Sequence, residues 1–252
     1  MSRNFTCQAL VLRLKASGES NREAWFLTAE QGLLKATVYG GPKSRLRAYV
    51  APFHEGKLWI YRNPVGDSNK VNDFDVQAYR PGIRELLERA MAAGAVAETI
   101  LSSQGGGGNW PLAVRLAGAV LDALNEAAAK TCPRIAIYFY WHWAQILGVK
   151  PDLSACACCS CEAKREDVLL YSARKEALLC EKCSINTGKE DTDSLLRLGG
   201  GARLWLKEIE SIHPAALERV TLDDIAFEQA KALSQTVLAA ALGRRLPTWS
   251  GI

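Results

Sequence analysis

Between residues 156 and 183 the chain places six of its eight cysteines, four within CACCSC and two within CEKC. A zinc-like ion takes four soft ligands in a tetrahedron, and two tight turns of C-x₂-C spacing supply them. Cys180 and Cys183 form one such turn. The other turn is either Cys156 with Cys159 or Cys158 with Cys161, separated from Cys180 by 20 or 18 residues. Both spacings suit a metal ribbon. The intervening DVLLYSARKEALLC reads as a hairpin, with strands at 168–171 and 177–179 around a polar turn. A site filled by four Cys leaves no open position for water or substrate, so the metal's role is structural. Neither pair opens a helix after a strand, which argues against a thioredoxin-like redox site. Cys7 and Cys132 read as ordinary buried thiols.

The rest of the chain changes period once. Up to residue 80 it reads as strands: QALVLRLKA alternates, with Leu10, Leu12 and Leu14 on one face and Val11, Arg13 and Lys15 on the other. REAWFLT, GLLKATVYG, GKLWIYR and NDFDVQAY follow, separated by SGESN, EQG, GGPKS and NPVGDSN turns. Five short strands in about 75 residues fit a small barrel, for which the OB-fold is the commonest answer and an SH3-like barrel the rival. From Arg80 onward the spacing becomes helical: IRELLERAMAAGAVAETILSS, WPLAVRLAGAVLDALNEAAA and the almost wholly apolar PRIAIYFYWHWAQILG, with Gly148 suited to its C-terminal cap. GGGGN at 105–109 breaks the first two and reads as a loop. After the cysteine module come a polar GKEDTDS connector, with possible N-caps at Thr192 or Asp193, and two more helices, ARLWLKEIESI and DDIAFEQAKALSQTVLAAALG. The expected organisation is α+β: an OB-fold barrel over 1–80, helices over 81–150, a zinc-ribbon-like module over 151–190 and helices over 191–252.

The amino-terminal stretch is interrupted by Arg13 and Lys15, which argues against a secretory leader. No run of 18 apolar residues predicts a membrane span. A cytoplasmic protein is expected, in which clustered cysteines bind metal more often than they form disulfides.

Signatures of catalysis are missing. His54, His142 and His213 form neither H-E-x-x-H nor the H-x-E pattern of zinc deaminases. His142, within YFYWHWAQ, reads as a satisfied core histidine. GGPKS lacks the glycine spacing of a phosphate-binding loop, and no G-x-S-x-G is present.

Charge is uneven. Residues 1–80 carry 12 Lys/Arg against 7 Asp/Glu, a net of +5, whereas residues 81–252 carry 19 against 20. A basic module on a near-neutral body suggests a polyanionic partner. Within residues 33–62, Lys35, Lys43, Arg45, Arg47, Lys57 and Arg62 interleave with Tyr39, Tyr49, Phe53, Trp59 and Tyr61. Single-strand binders pair cations for phosphates with aromatic faces for bases. Phe53 and Trp59 are expected in the barrel core, and PKSRLR is expected to be a loop that touches DNA.

These parts, in this order, resemble the RecO family of bacterial DNA-repair and recombination mediators. The resemblance rests on ALVLRLKASGESNREAWFLTAEQGLLKATVYGGPKSRL, on APFHEGKLWIYR, and on YFYWHWAQILGVKPDLSACACC, where an apolar helix ends in a glycine before PDL and the first cysteine pair. It covers roughly residues 5–190. The family pattern implies Cys156, Cys159, Cys180 and Cys183 as ligands of one structural Zn²⁺. It also places a glycine after the second cysteine, where this chain has Ser160. The resemblance further implies a protein without an active site that binds single- and double-stranded DNA, anneals complementary strands and works near the nucleoid. With RecR it would help load RecA onto strands coated by single-strand-binding protein, whose C-terminal tail it would also bind. Lys35, Tyr39, Lys43, Arg45 and Arg47 are the DNA contacts expected on the barrel. The competing expectation is a zinc-ribbon adaptor that docks proteins and has little DNA binding of its own.

Overall fold

Strand β1 (Asn4–Ser17) is long enough to serve two neighbours, and that length closes the barrel. Its first half pairs antiparallel with β4 (Glu55–Asn63) and its second half with β2 (Asn21–Thr28). Strand β3 (Gly32–Val38) continues antiparallel from β2 and meets β5 (Ser68–Ala78) through a parallel contact at Thr37 and Lys70. The order β1-β2-β3-β5-β4, closed back onto β1, with a short helix α1 (Arg45–Tyr49) between β3 and β4, is that of an OB-fold. These findings come from a computed structural model that describes residues 3–41, 44–66, 68–185 and 195–252. The expected contact Lys43 and the expected caps Thr192 and Asp193 lie outside those residues.

The barrel core is apolar and close-packed: Cys7, Ala9, Val11, Phe26, Leu58, Ile60 and Phe74 are all buried within it. Here the alternation expected for β1 is overturned. Val11 belongs to the core and Leu14 packs against it, whereas Leu10 and Leu12 are buried outside that cluster. The cause is a register shift against β2 between Val11 and Arg13. An extra residue in one strand reverses which side chains point inward beyond it. The outer side of β1 is covered by helices α2 (Leu87–Ser102) and α3 (Trp110–Glu126), and α3 also contacts β2.

Two features fix α3 to the barrel. A Cβ on Gly32, which has φ +67°, would lie 2.5 Å from the Trp110 ring, so only glycine admits the indole there. Arg80, itself left-handed at φ 48°, is buried and splayed across the junction. Its Nε donates to Asp122 and its Nη2 to Glu55, both at 2.6 Å, while Nη1 donates to the Phe53 carbonyl at 2.9 Å. Gly105 to Gly108 all have positive φ, so the loop between α2 and α3 is a run that only glycine forms readily.

The chain divides into two compact units, residues 1–126 and 127–252. In the second, helix α4 (Cys132–Ile146) buries Ile135 through Trp141 without a break. Gly148, at φ 73°, ends it: its N–H donates to the Gln145 carbonyl, and the Val149 N–H reaches Ala144. That pair of bonds is a Schellman cap. Helices α6 (Gly200–Glu208) and α7 (Asp224–Leu242) follow, α7 packing on both α4 and α6. Asp223 caps α7 by accepting from the Ala226 N–H at 2.8 Å. No helix among the described residues is long and apolar enough to cross a membrane.

Between α4 and α6 lies the cysteine module. Strands β6 (Leu169–Ser172) and β7 (Ala177–Cys180) form the expected hairpin, and helix α5 (Glu181–Ile185) begins directly after it. A third strand, β8 (Leu196–Leu198), adds to the other edge of β6 and was not legible in the sequence. Arg203 of α6 is buried against this module. It donates to the carbonyls of Leu153, Ala163, Lys164, Arg165 and Asp167, gathering the connecting loop around one guanidinium.

Candidate metal centre and nucleic-acid face

The first cysteine turn is a closed knuckle. The Ser160 N–H donates to the Cys156 carbonyl at 2.9 Å, and the Cys156 N–H donates to the Cys161 carbonyl at 3.0 Å. Ala155 and Glu162 form an isolated bridge across its base. Ser160 turns the chain at φ 57°, the left-handed conformation that glycine adopts without a Cβ penalty. The second turn leaves β7 at Cys180 and enters α5, so, contrary to the expectation from sequence, this pair does open a helix after a strand; its clustering with two further thiols, and not its setting, sets it apart from a redox dithiol. The Ala157 N–H bonds the Leu178 carbonyl at 2.9 Å and joins the two.

This arrangement brings the thiols of Cys156, Cys159, Cys180 and Cys183 together, with their sulfurs all within 4.8 Å of one another. Metal–sulfur bonds of about 2.3 Å give a tetrahedron with sulfur–sulfur edges of about 3.8 Å. Cys159 Sγ lies 3.8 Å from Cys180 Sγ. The four residues could hold a metal ion.

The electrostatics agree with that fit. Burial pushes the Cys156 thiol up, but backbone N–H groups of Cys159, Cys180 and Cys158 outweigh it and bring the thiol down to about 6. The Cys161 N–H pulls Cys159 down likewise. Cys183 is pushed up, first by its contact with Cys159. Sulfurs this close cannot all be thiolates by themselves, and a divalent cation removes the conflict.

On the barrel, the register of three strands creates a row that crosses them. Arg13 of β1 pairs with Trp25 of β2, and Trp25 pairs with Lys35 of β3. The Arg13 guanidinium lies 5.7 Å from the Trp25 ring centroid and the Lys35 ammonium 5.4 Å from it. Trp25 is half-buried, with the buried Ala24 and Phe26 on either side of it in the strand. The row therefore has a cation on each side of one indole on the outer surface. Glu23 intrudes on it, ion-paired to Lys35 at 2.7 Å.

The other expected contacts are scattered around this row. Tyr39 is half-exposed just beyond β3, with the Lys70 ammonium 5.4 Å from its ring. Arg45 and Arg47 lie on α1 and not on a loop, because Leu46 and Tyr49 anchor this segment against the barrel core. Arg45 is exposed but folds back on Tyr49, with Nε 3.0 Å from the phenol oxygen. Arg47 is half-buried. Two aromatics depart from the expected core placement. Trp59 is half-buried on the outer side of β4, between Thr6 and Asp73, because the inward positions there belong to Leu58 and Ile60. Phe53 is also outside the core cluster, at φ 71° with its N–H bonded to the Val11 carbonyl at 2.8 Å.

Two of the histidines are tied to backbone carbonyls. The His142 Nε2–H donates to the Ile209 carbonyl at 3.1 Å, as a satisfied core group does. The His54 Nδ1–H donates to the Tyr49 carbonyl at 2.8 Å.

Fold and site together define an OB-fold protein whose helical part carries a cluster of four cysteines that could hold a metal ion. The chain belongs to the RecO family of DNA repair proteins. Family models for the recombination protein O N-terminal and C-terminal regions match residues 1–78 and 84–250. Proteins named DNA repair protein RecO are similar to it. The one from Pelotomaculum thermopropionicum is 29% identical over 71% of this chain and 68% of its own length. Those from Moorella thermoacetica (24% identical, 96% and 88% covered) and Bacillus subtilis (25%, 70% and 68%) are similar too.

Proposed function

We propose that this chain is a recombination mediator that binds DNA through its barrel and performs no covalent chemistry of its own. The observation that carries this reading is the Arg13–Trp25–Lys35 row. A half-buried indole on the outer surface with a cation on each side can offer its open edge to an unpaired base while the cations neutralise the flanking phosphates. Tyr39 lies just beyond the end of β3, with Lys70 of the neighbouring strand β5 over its ring, and Arg45 and Arg47 extend the basic character onto α1. In this reading Lys43 belongs to the same contact.

Family membership supports the finer activities: annealing of complementary strands, cooperation with RecR, and transfer of strands from single-strand-binding protein to RecA, with that protein's tail docked on the helices. In this reading Cys156, Cys159, Cys180 and Cys183 hold one Zn²⁺. All-sulfur donors select a thiophilic ion, and four filled positions make it structural.

Anisotropy with labelled single-stranded DNA across a salt series tests the proposal. Wild type should bind with a steep salt slope. Trp25→Ala should weaken binding by about 5- to 100-fold, the worth of about one stacked base. Arg13→Glu with Lys35→Glu should abolish most binding and flatten the slope. Absence of binding by folded, metal-loaded wild type would overturn the reading in favour of an adaptor.

A further inference from the structure

We propose that Cys161 is a reserve ligand of the metal module, a fifth thiol able to take the coordination position of Cys159. The inference rests on the reading that the four-thiol cluster holds a metal ion.

The four clustered sulfurs are not equivalent. Cys156 is buried at the back of its knuckle, whereas Cys159 is exposed. Cys159 lines a cleft of about 770 Å³ together with Cys180 and Cys183. Cys161 opens onto this same cleft, and its thiol lies beside those of Cys159 and Cys180. The knuckle holds it there: its carbonyl accepts the Cys156 N–H at 3.0 Å, and the bridge between Ala155 and Glu162 pins the next residue. A spare thiol is thus fixed two residues from the most exposed ligand. Cys158, the other spare, is exposed but does not line the cleft, and its thiol lies beside Cys183.

The exchange is balanced. The Cys161 sulfur bonds the metal and releases its proton to solvent. The metal–sulfur bond of Cys159 breaks and that sulfur takes up a proton. Four thiolates remain around a metal of unchanged oxidation state, so nothing is oxidised or reduced.

Single and double serine variants of the full chain, assayed for zinc content and for the charge-transfer absorption of bound Co²⁺, test the proposal. Wild type should hold about one ion per chain with a four-thiolate spectrum. C159S should keep both, C158S/C159S should match it, and C159S/C161S should lose a thiolate band or the metal itself. A folded C159S that is metal-free, or that shows a three-thiolate spectrum identical to that of C159S/C161S, would overturn the proposal. So would C161S losing the metal by itself, which would make Cys161 the resident ligand. Wild type that binds no Zn²⁺ or Co²⁺ would instead remove the metal reading beneath it.

Should C159S fail to fold, alkylation of zinc-loaded wild type by iodoacetamide, read by mass spectrometry, decides. Cys158 and Cys161 should label fast, and Cys159 should label faster than Cys180 in wild type, where Cys161 can take its place, but no faster than Cys180 in C161S. Cys159 labelling at the same rate in both chains would overturn the proposal.

Discussion

Arg80 and Glu55 are joined by a 2.6 Å contact from a guanidinium whose side chain is 4% exposed to a carboxylate that is 25% exposed. The same guanidinium holds Asp122 of α3, so one side chain links β4 to a helix outside the barrel. It also holds the carbonyl of Phe53, a non-glycine residue in left-handed conformation. Removing one partner of a buried ionic network leaves the others desolvated and unpaired. Arg80→Met should cost about 3 kcal/mol, the lower end of that class because Asp122 is largely exposed. Arg80→Lys should recover little, since an ammonium lacks the planar fork that meets several acceptors in fixed directions. Urea unfolding followed by circular dichroism checks both. A loss below about 1 kcal/mol for Arg80→Met would mean that solvent readily replaces the network.

Among the described residues, Glu23 is the one carboxylate ion-paired within the cationic row. It neutralises Lys35 and repels phosphate. Glu23→Gln should raise affinity for single-stranded DNA by about two- to fivefold at low salt, the scale of an exposed ion pair, and by less as salt screens the site. The same anisotropy titration at two ionic strengths reads it out. Unchanged or weaker binding would indicate that Glu23 orients Lys35 usefully and does not compete with DNA.

Why that row escaped sequence reading is instructive. The hydrophobic alternation located five strands and a barrel, since period-two burial is written directly into residues such as Ala24, Phe26 and Leu34. The cysteines were legible as two C-x₂-C turns, because metal geometry limits their spacing, but spacing left Cys156 with Cys159 and Cys158 with Cys161 both open, and only the family resemblance pointed to the first pair. A row across strands depends instead on register. Counting back from the SGESN turn sets Arg13 opposite Trp25, and counting from the EQG turn sets Trp25 opposite Lys35, so a signal existed in the hairpin lengths. The cation-rich stretch 33–62 holds only Lys35 of this row, and its aromatics fall on different sides of the barrel once the strands are paired. The shift between Val11 and Arg13 was invisible because both alternations along β1 offer apolar residues. Strand β8 is three residues long, and its pairing depends on β6 rather than on its own pattern.

Two histidines make the protein acid-sensitive in a stated direction. Burial lowers His54 below its ordinary value of 6.5; the Tyr49 carbonyl opposes this, and Arg84 and Arg80 add to it. Burial likewise lowers His142, with the Ile209 carbonyl opposing and Lys150 assisting. The unfolded chain takes up these protons near pH 6.5, whereas the folded chain resists until lower pH. Their stabilising contribution is therefore complete above about pH 6.5 and is lost as pH falls through the folded values. Urea midpoints measured between pH 7.5 and 5 should fall. A His54→Gln, His142→Gln double variant should show a shallower fall, whatever its stability at neutral pH. Equal slopes would assign the acid sensitivity to other groups, the metal thiolates first among them.

Ser160 occupies a position whose backbone asks for glycine. At φ 57° a side chain meets the following carbonyl and costs about 1 kcal/mol, which glycine avoids. Glycine gives back part of this through the greater freedom of the unfolded chain. The net gain from Ser160→Gly should be about 0.5 kcal/mol, or about a twofold tighter hold on the metal if ion binding and knuckle closure are one event. Ser160→Val, β-branched and ill-suited to positive φ, should err in the opposite direction and by more. Competition between the protein and a zinc chelator, titrated for all three chains, gives the order directly. The order glycine, serine, valine from tightest to weakest would place the strain at Ser160. A glycine variant weaker than wild type would show that the serine side chain contributes to the knuckle more than its conformation costs.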